Sequence, residues 1–356
     1  MEDGSPAAAG VRISTEKGGY TPMKKILMLA TGGTIASVQT EAGLTPTMTS
    51  AELLRYVPGI RRICEVDTVQ LCNLDSTDIC PEHWLQMARA IREAYDRYDG
   101  FVICHGTDTM AYTAAALSYL IRHSPKPVVL TGAQKPINLD VTDSKTNLYA
   151  SFLYASSDEA SGVQILFDNV AILGTRARKT RSKSFHAFSS VNYPYLAAIQ
   201  NDRILRYITP PKAAAPVFSD RLDTKVAALK LIPGMGSEVL DFLLTRNDAV
   251  IIESFGVGGI PSLPHSHYYE VIEKWLGRGR TIVMTTQVPN EGSEMNIYRV
   301  GQKLKSRFHL LEAYDMTTEC VAAKLMWILG QTSDPQTIRR LFYTPVENDL
   351  LYRERQ

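Results

Sequence analysis

The chain has 356 residues, 45% apolar and 21% charged, which suits two globular domains or one large one and excludes a disordered chain or a coiled coil. Lys and Arg total 38 against 37 Asp and Glu, so the net charge of +1 offers no basic surplus to a nucleic-acid backbone. No run approaches the roughly 18 apolar residues of a membrane-spanning helix.

Residues 1–22 are mostly Gly, Ala, Ser and charged residues without an apolar signal core, and they read as a flexible extension ahead of Met23. From Lys24 on, short apolar runs alternate with amphipathic segments. Residues 26–30 read as a buried strand. Thr49, Ser50, Ala51 and Glu52 form a capping box that opens a short helix through Tyr56. A second strand spans 66–71. Residues 81–98 carry Trp84, Met87, Ala88 and Ile91 at helical spacing behind Pro81, which a first turn tolerates. Strands follow at 101–104, 127–130, 163–167 and 170–173, with helices at 109–121 and 143–154. This alternation predicts an α/β fold with a mostly parallel sheet, helices on both faces and right-handed crossovers. Ligands of such sheets gather at the carboxyl ends of the strands.

Residues 205–224 break the rhythm. Pro210, Pro211, Pro216 and the three alanines from Ala213 make a stiff stretch. It reads as a linker between an N-terminal domain over 23–204 and a C-terminal domain over 225–350. Beyond it, strands at 226–232, 249–253 and 281–285 alternate with helices at 238–245 and 268–276. Helices at 317–329 and 335–342 close the chain, the last behind an Asp334–Pro335 cap. The second part is therefore expected to be a smaller parallel α/β domain. Cys64, Cys72, Cys80, Cys104 and Cys320 are odd in number and contain no C-x-x-C pair. That argues against a disulfide framework or a zinc ribbon and for a reducing, cytoplasmic location.

Four polar clusters end predicted strands. In Thr31-Gly32-Gly33-Thr34-Ile35 the glycines let the backbone turn tightly and approach a ligand. A dinucleotide fingerprint would need a third glycine and a phosphate loop a Gly-Lys-Ser/Thr, so alone this is a strand-to-loop turn. Leu74-Asp75-Ser76-Thr77-Asp78 offers hydroxyls and carboxylates to a small charged molecule, or caps the helix that starts at Pro81. Cys104-His105-Gly106-Thr107-Asp108-Thr109 joins a hydroxyl and a carboxylate to a helix N-terminus, whose N–H groups can hold a carboxylate or an oxyanion. His105, beside a glycine at a strand end, reads as structural. Thr175-Arg176-Ala177-Arg178-Lys179-Thr180-Arg181 is a solvated basic face or an anion contact, unless its lysine serves as a proton acceptor beside a threonine and an aspartate. His265-Ser266-His267 is too compact to hold a metal, and no other metal-ligand cluster stands out. Together the clusters suggest threonine-based nucleophilic chemistry without a metal.

In their order along the chain, residues 31–35, 75–78, 105–112, 131–134, 174–179 and 254–259 resemble the bacterial-type L-asparaginases, especially the cytoplasmic type I branch. The resemblance runs from about residue 23 to about residue 342. It implies a two-domain α/β hydrolase, free of cofactor and metal, that converts L-asparagine to L-aspartate and ammonia, with weak action on glutamine. By carry-over Thr34 is the nucleophile, ammonia leaves, and water hydrolyses the acyl-enzyme ester. Thr107, Asp108 and Lys179 match the family's threonine–lysine–aspartate group. There Lys179 relays a proton, Thr107 activates water or assists proton transfer, and the Thr107 N–H steadies the oxyanion. Ser76 is expected to hold the α-carboxylate of the substrate, and Asp108 with Asp75 and Thr77 its α-ammonium. The Ala133 carbonyl would accept from the amide nitrogen. Glu294 would reach a site at the subunit interface of a homodimer or homotetramer.

The chain departs from the family pattern at three places. Leu44 stands where many relatives carry a mobile-loop tyrosine, for which Tyr298 is a candidate substitute. Gly259 replaces an interface asparagine. Val288 replaces the allosteric cysteine of some type I enzymes, so allosteric control by asparagine is not expected. Two other readings share the fold. One is an amidotransferase subunit that feeds ammonia to a tRNA-modifying partner, against which the near-neutral charge weighs. The other is a catalytically silent amino-acid sensor, against which intact Thr34, Thr107, Asp108 and Lys179 weigh.

Overall fold

The computed structural model describes residues 22–41, 43–297, 301, 302, 305, 307, 308 and 310–352. The extension expected over 1–22, residue 22 excepted, and Tyr298 lie outside the described residues.

The first part of the chain forms strands β1 (Lys25–Gly32), β2 (Ser37–Thr40), β3 (Gly43–Pro46), β4 (Glu65–Leu74), β5 (Gly100–Cys104), β6 (Ile121–Arg122), β7 (Pro127–Thr131), β8 (Gly162–Phe167), β9 (Val170–Leu173), β10 (Ala177–Lys179), β11 (Phe188–Ser190), β12 (Ala197–Gln200) and β13 (Arg203–Arg206). Its helices are α1 (Ser50–Arg55), α2 (Pro81–Ala94), α3 (Met110–Leu120) and α4 (Ser144–Ala155). Eight strands make one sheet in the order β13-β12-β9-β8-β7-β5-β1-β4. Pairing is parallel from β8 through β4 and antiparallel from β8 to β13. Strands β5, β7 and β8 are buried at every position, as runs covered on both faces should be. Side chains of β1 alternate between two cores: Leu27 and Leu29 pack with Trp84, Ile91 and Ile103 under α2 and α3, whereas Ile26 and Met28 pack with Leu53, Val102 and Phe152 under α1 and α4.

Local signals in the sequence operate as their chemistry requires. The Thr49 hydroxyl accepts from the Glu52 N–H at 3.3 Å while the Glu52 carboxylate accepts from the Thr49 N–H at 2.8 Å, closing the capping box of α1. Helix α2 ends at Ala94, short of residue 98, because residues 95–97 tighten into a 3-10 turn. The strand expected over 66–71 extends to Glu65–Leu74.

The second part contains β14 (Val217–Phe218), β15 (Val226–Lys230), β16 (Ala249–Ser254), β17 (Thr281–Thr286) and β18 (Leu311–Glu312), with helices α5 (Glu238–Arg246), α6 (Tyr268–Leu276), α7 (Thr318–Leu329) and α8 (Pro335–Phe342). Strands β15 to β18 form a parallel sheet in chain order. Its outer face packs Val250, Ile252 and Met284 against Leu240, Leu244, Tyr268 and Ile272 of α5 and α6. Its inner face, Ile251 and Val283, joins the core that holds α3 and α7. The two sheets therefore share one apolar interior. Between them, β14 pairs antiparallel with β6, so the proline-rich stretch lies against the first sheet's domain.

A buried ionic cluster ties this junction. Lys324 and Asp349 are both inaccessible, with Nζ and Oδ2 2.6 Å apart. Tyr119 of α3 donates to the same Oδ2 at 2.7 Å, the Val346 N–H donates to Oδ1 at 2.9 Å, and Lys324 donates to the Thr344 carbonyl at 3.0 Å. Removing one member of such a pair strands the other charge in a dry interior. Asp349→Ala is therefore expected to lower the unfolding free energy by about 3–5 kcal/mol in a urea titration. Adding Lys324→Met should restore part of that loss; an unchanged midpoint in the single variant would refute the assignment.

Candidate active site

Because β4, β1, β5 and β7 are adjacent and parallel, their carboxyl ends emerge on one edge of the sheet. These ends lead into Gly33–Thr34, Asp75–Ser76, Gly106–Asp108 and Gly132–Gln134. Two glycines set how closely the ends meet. Gly33 has φ 76°, and a Cβ there would collide with the backbone of Gly106. A Cβ on Gly106 would fall 2.6 Å from that of Ser76. Only hydrogen atoms fit at both positions, so the three segments lie in contact.

Thr34 opens a 3-10 turn and is half-buried. Thr107 is buried, and Asp108 is exposed. Lys179 arrives from outside the sheet, at the end of β10, which pairs with β11 as a short antiparallel ribbon. Its ammonium donates to Thr107 Oγ1 and to Asp108 Oδ1, both at 2.7 Å. The lysine side chain is only 17% exposed. Buried Ser76 accepts from the Asp108 N–H at 3.2 Å, and its carbonyl accepts from the Thr109 hydroxyl at 2.7 Å. The structure thus joins Ser76, Thr107, Asp108 and Lys179 by hydrogen bonds and sets Thr34 at the adjoining strand end.

Other expected residues sit differently. Asp75 and Thr77 are exposed and engage each other: Asp75 Oδ1 accepts from the Thr77 N–H and hydroxyl, both at 2.9 Å, and so caps the 3-10 turn over Ser76–Asp78. Ala133 is buried in the loop after β7. Glu294 belongs to the second domain, where its N–H donates to the Val257 carbonyl and its carboxylate accepts from the Tyr352 hydroxyl at 2.9 Å. Among the described residues no hydrogen bond links it to the Lys179 group. The loop with Leu44 forms the β2–β3 hairpin, and that leucine is exposed.

The chain matches a family model for asparaginase N-terminal domains over residues 25–212. A second model, for glutaminase/asparaginase C-terminal domains, matches residues 225–342. The chain belongs to the asparaginase family. It is 39% identical to an L-asparaginase of Thermococcus kodakarensis, over 92% of this chain and 99% of that one. It is 34% identical to a glutamyl-tRNA(Gln) amidotransferase component of Pyrococcus furiosus, over 90% of this chain and 75% of the relative. The solved structure of the thermostable T. kodakarensis L-asparaginase superposes with a TM-score of 0.87 at 38% identity, covering 92% of this chain and all of that one. That of a probable cytoplasmic L-asparaginase from Campylobacter jejuni gives 0.77 at 30% identity, covering 90% and 99%. This asparaginase-family chain is accordingly an amidohydrolase with the family's two-domain fold.

Gln134 enters the site although its type announced nothing. Its Oε1 accepts from Thr107 Oγ1 at 3.3 Å, and its Nε2 donates to the Ser184 carbonyl at 3.1 Å. His105, by contrast, is wholly buried and structural. Its Nδ1 lies 2.6 Å from the Gly106 carbonyl, which can only accept, so Nδ1 carries the hydrogen. Nε2, 3.0 Å from the Thr113 hydroxyl, then accepts, while Thr113 in turn accepts from Trp84 Nε1 at 3.0 Å. Among the described residues no group of three His, Cys, Asp or Glu is arranged to hold a metal.

Burial lowers the His105 pKa to about 4 from 6.5, outweighing the opposing bond to Gly106. The unfolded chain therefore takes up a proton below pH 6.5 that the folded chain refuses down to about pH 4. The stabilisation is complete above pH 6.5 and is lost as pH falls through that window. The full span corresponds to about 3 kcal/mol. His105→Gln is expected to flatten the dependence of unfolding free energy on pH between 7 and 4.5 relative to wild type, by urea titration at each pH. Parallel curves for the two proteins would refute the neutral, buried assignment.

Proposed function

We propose that this chain hydrolyses L-asparagine to L-aspartate and ammonia through an acyl-enzyme ester on Thr34. The observation that carries this reading is the Lys179 ammonium held 2.7 Å from both Thr107 Oγ1 and Asp108 Oδ1 at the strand end beside Thr34. A threonine hydroxyl is a poor nucleophile until a neighbour accepts its proton. In the first step Thr34 Oγ1 attacks the side-chain amide carbon, the C–N bond breaks, and the hydroxyl proton leaves with nitrogen as ammonia. In the second step water adds to the ester carbon and the bond to Thr34 Oγ1 breaks. The water proton passes by way of Thr107 and Lys179 and returns to Thr34. A lysine accepts a proton only in its neutral form, which Asp108 or solvent provides by taking one of the ammonium hydrogens. The Thr107 N–H faces the developing oxyanion.

The substrate is a small zwitterion. Ser76 Oγ accepts from the Asp108 N–H, which leaves the serine hydrogen for the α-carboxylate. Asp108, with the Asp75–Thr77 turn at the rim, takes the α-ammonium, and the Ala133 carbonyl accepts from the amide nitrogen. Charge-assisted bonds at both ends select a free amino acid over a peptide. One extra methylene is a modest obstacle, so weak action on L-glutamine is expected. Glu294, engaged with Tyr352 in its own chain, is assigned to a neighbouring subunit's site in a homodimer or homotetramer. A cytoplasmic location is supported by five unpaired cysteines and by the likeness to the C. jejuni enzyme. Among the described residues no helix is long and apolar enough to cross a membrane.

Ammonia release from L-asparagine and L-glutamine, measured side by side, tests the reading. Thr34→Ala and Lys179→Met should each lose at least about 10³-fold in kcat. Undiminished turnover by Thr34→Ala removes the nucleophile, and release that requires a second protein would favour an amidotransferase component.

A further inference from the structure

We propose that Gln134 is a positioning residue that sets the hydroxyl rotor of Thr107 and ties the β10–β11 ribbon to it. The proposal rests on the assignment of Thr107 and Lys179 to the reaction. Its basis is a closed ring of hydrogen bonds. Lys179, on the ribbon, donates to Thr107; Thr107 donates to Gln134 Oε1; Gln134 Nε2 donates to the Ser184 carbonyl, on the tip of the same ribbon.

The direction of every bond in this ring follows from one group. The Ser184 carbonyl has only lone pairs, so the amide nitrogen of Gln134 must face it. The amide oxygen then faces Thr107 and cannot donate. Thr107 therefore spends its single hydrogen on Gln134 and turns a lone pair toward Lys179, which must supply the hydrogen of their contact. Gln134 in this way fixes Thr107 as the acceptor of the Lys179 ammonium. It also keeps the Thr107 hydrogen away from the lysine until the lysine has become neutral. The backbone at Gln134 is itself fixed. Its N–H donates to Asp143 Oδ2 at 2.9 Å, the Lys135 N–H donates to Asp143 Oδ1 at 3.1 Å, and Asn147 Nδ2 donates to Asp143 Oδ2 at 3.2 Å. The amide is thus presented from a rigid platform at the start of α4.

Two substitutions separate this role from plain packing. Gln134→Met keeps the length of the side chain and removes both bonds. Gln134→Glu keeps an acceptor for Thr107 but faces the Ser184 carbonyl with a second acceptor. Gln134→Met is expected to lose about 10–100-fold in kcat on L-asparagine, with KM within about threefold, because misorientation of a catalytic group costs rate rather than binding. The kcat/KM–pH profile of Gln134→Glu should gain a limb that wild type lacks, because the substitution places a new titrating carboxylate beside Thr107. Amide hydrogen exchange across residues 180–187 should quicken in both variants while the urea midpoint stays at the wild-type value.

An unaltered kcat in Gln134→Met overturns the proposal, and so does a wild-type pH profile in Gln134→Glu. So does a rise in KM with kcat intact, which would make Gln134 a substrate contact. If wild type releases no ammonia from L-asparagine, the substrate reading fails by itself. The exchange measurement then decides the Gln134 ring alone, and unchanged protection of residues 180–187 overturns it.

Discussion

Lys179 reaches Thr107 and Asp108 from a ribbon that is pinned at its base. The pin is Arg176, three residues upstream and wholly buried. Its guanidinium donates to the Asn348 carbonyl at 2.7 Å, to the Asp315 carbonyl at 2.8 Å and to the Asp315 carboxylate at 2.8 Å. Thr175 adds a bond to the Glu347 carbonyl at 2.7 Å. All of these acceptors belong to the C-terminal part of the chain. A guanidinium removed from water is tolerable only with its donors filled, so the fit between the two domains and the seating of the ribbon are one requirement. The second domain thereby bears on the Lys179 group through the base of the ribbon.

The same logic runs through the tail after α8. Asp349 meets Lys324 and Tyr119, Asn348 and Glu347 hold Arg176 and Thr175, and the Leu351 and Tyr352 N–H groups donate to Asp315. Tyr352 then reaches Glu294. A few residues of irregular chain link α3, α7, the base of the ribbon and the edge of the second sheet. Asp349 is wholly buried, and the main-chain groups of its neighbours are paired with Arg176, Thr175 and Asp315, which specifies a single docking of the tail more sharply than apolar packing alone would.

How much of this could be read from the sequence depended on how local the cause was. Helices α6 and α8 span the residues expected for them, because Asp334, Pro335 and the apolar period act within one or two turns. Strands β12 and β13 were not anticipated. They join through Asn201 and Asp202 at φ 49° and 58°, a hairpin signal in plain sight that the parallel rhythm of the preceding segments obscured. The Asp168–Asn169 turn between β8 and β9 works likewise, with φ 48° and 61°. Strand β10 was legible only as a run of basic residues, since three residues carry no period and their pairing depends on contacts distant in sequence. At the site, composition and spacing yielded clusters, and the family resemblance singled out residues within them. Gln134 lay within the resemblance at 131–134 but received no role, because its part depends on which end of an amide faces Ser184. Asp75 is the opposite case: a cap was expected for the helix at Pro81, but Cys80 takes that position and Asp75 caps the 3-10 turn ahead of it.

His105 and Lys179 show why the basic group at this corner is a lysine. The histidine sits closer to the centre of the sheet, where both ring nitrogens are already used and burial favours the neutral ring. It fixes the loop that presents Thr107, and it has no free lone pair or hydrogen to lend to a reaction. The proton-transfer group of the proposed reaction must instead keep a hydrogen-bonding partner that changes during the cycle and a route to water. That place exists at the rim, where Asp108 is 57% exposed and a long side chain can lie in from the ribbon. A flexible stem whose terminal donors can be shared between a hydroxyl and a carboxylate fits it; a planar ring packed beneath the loop does not.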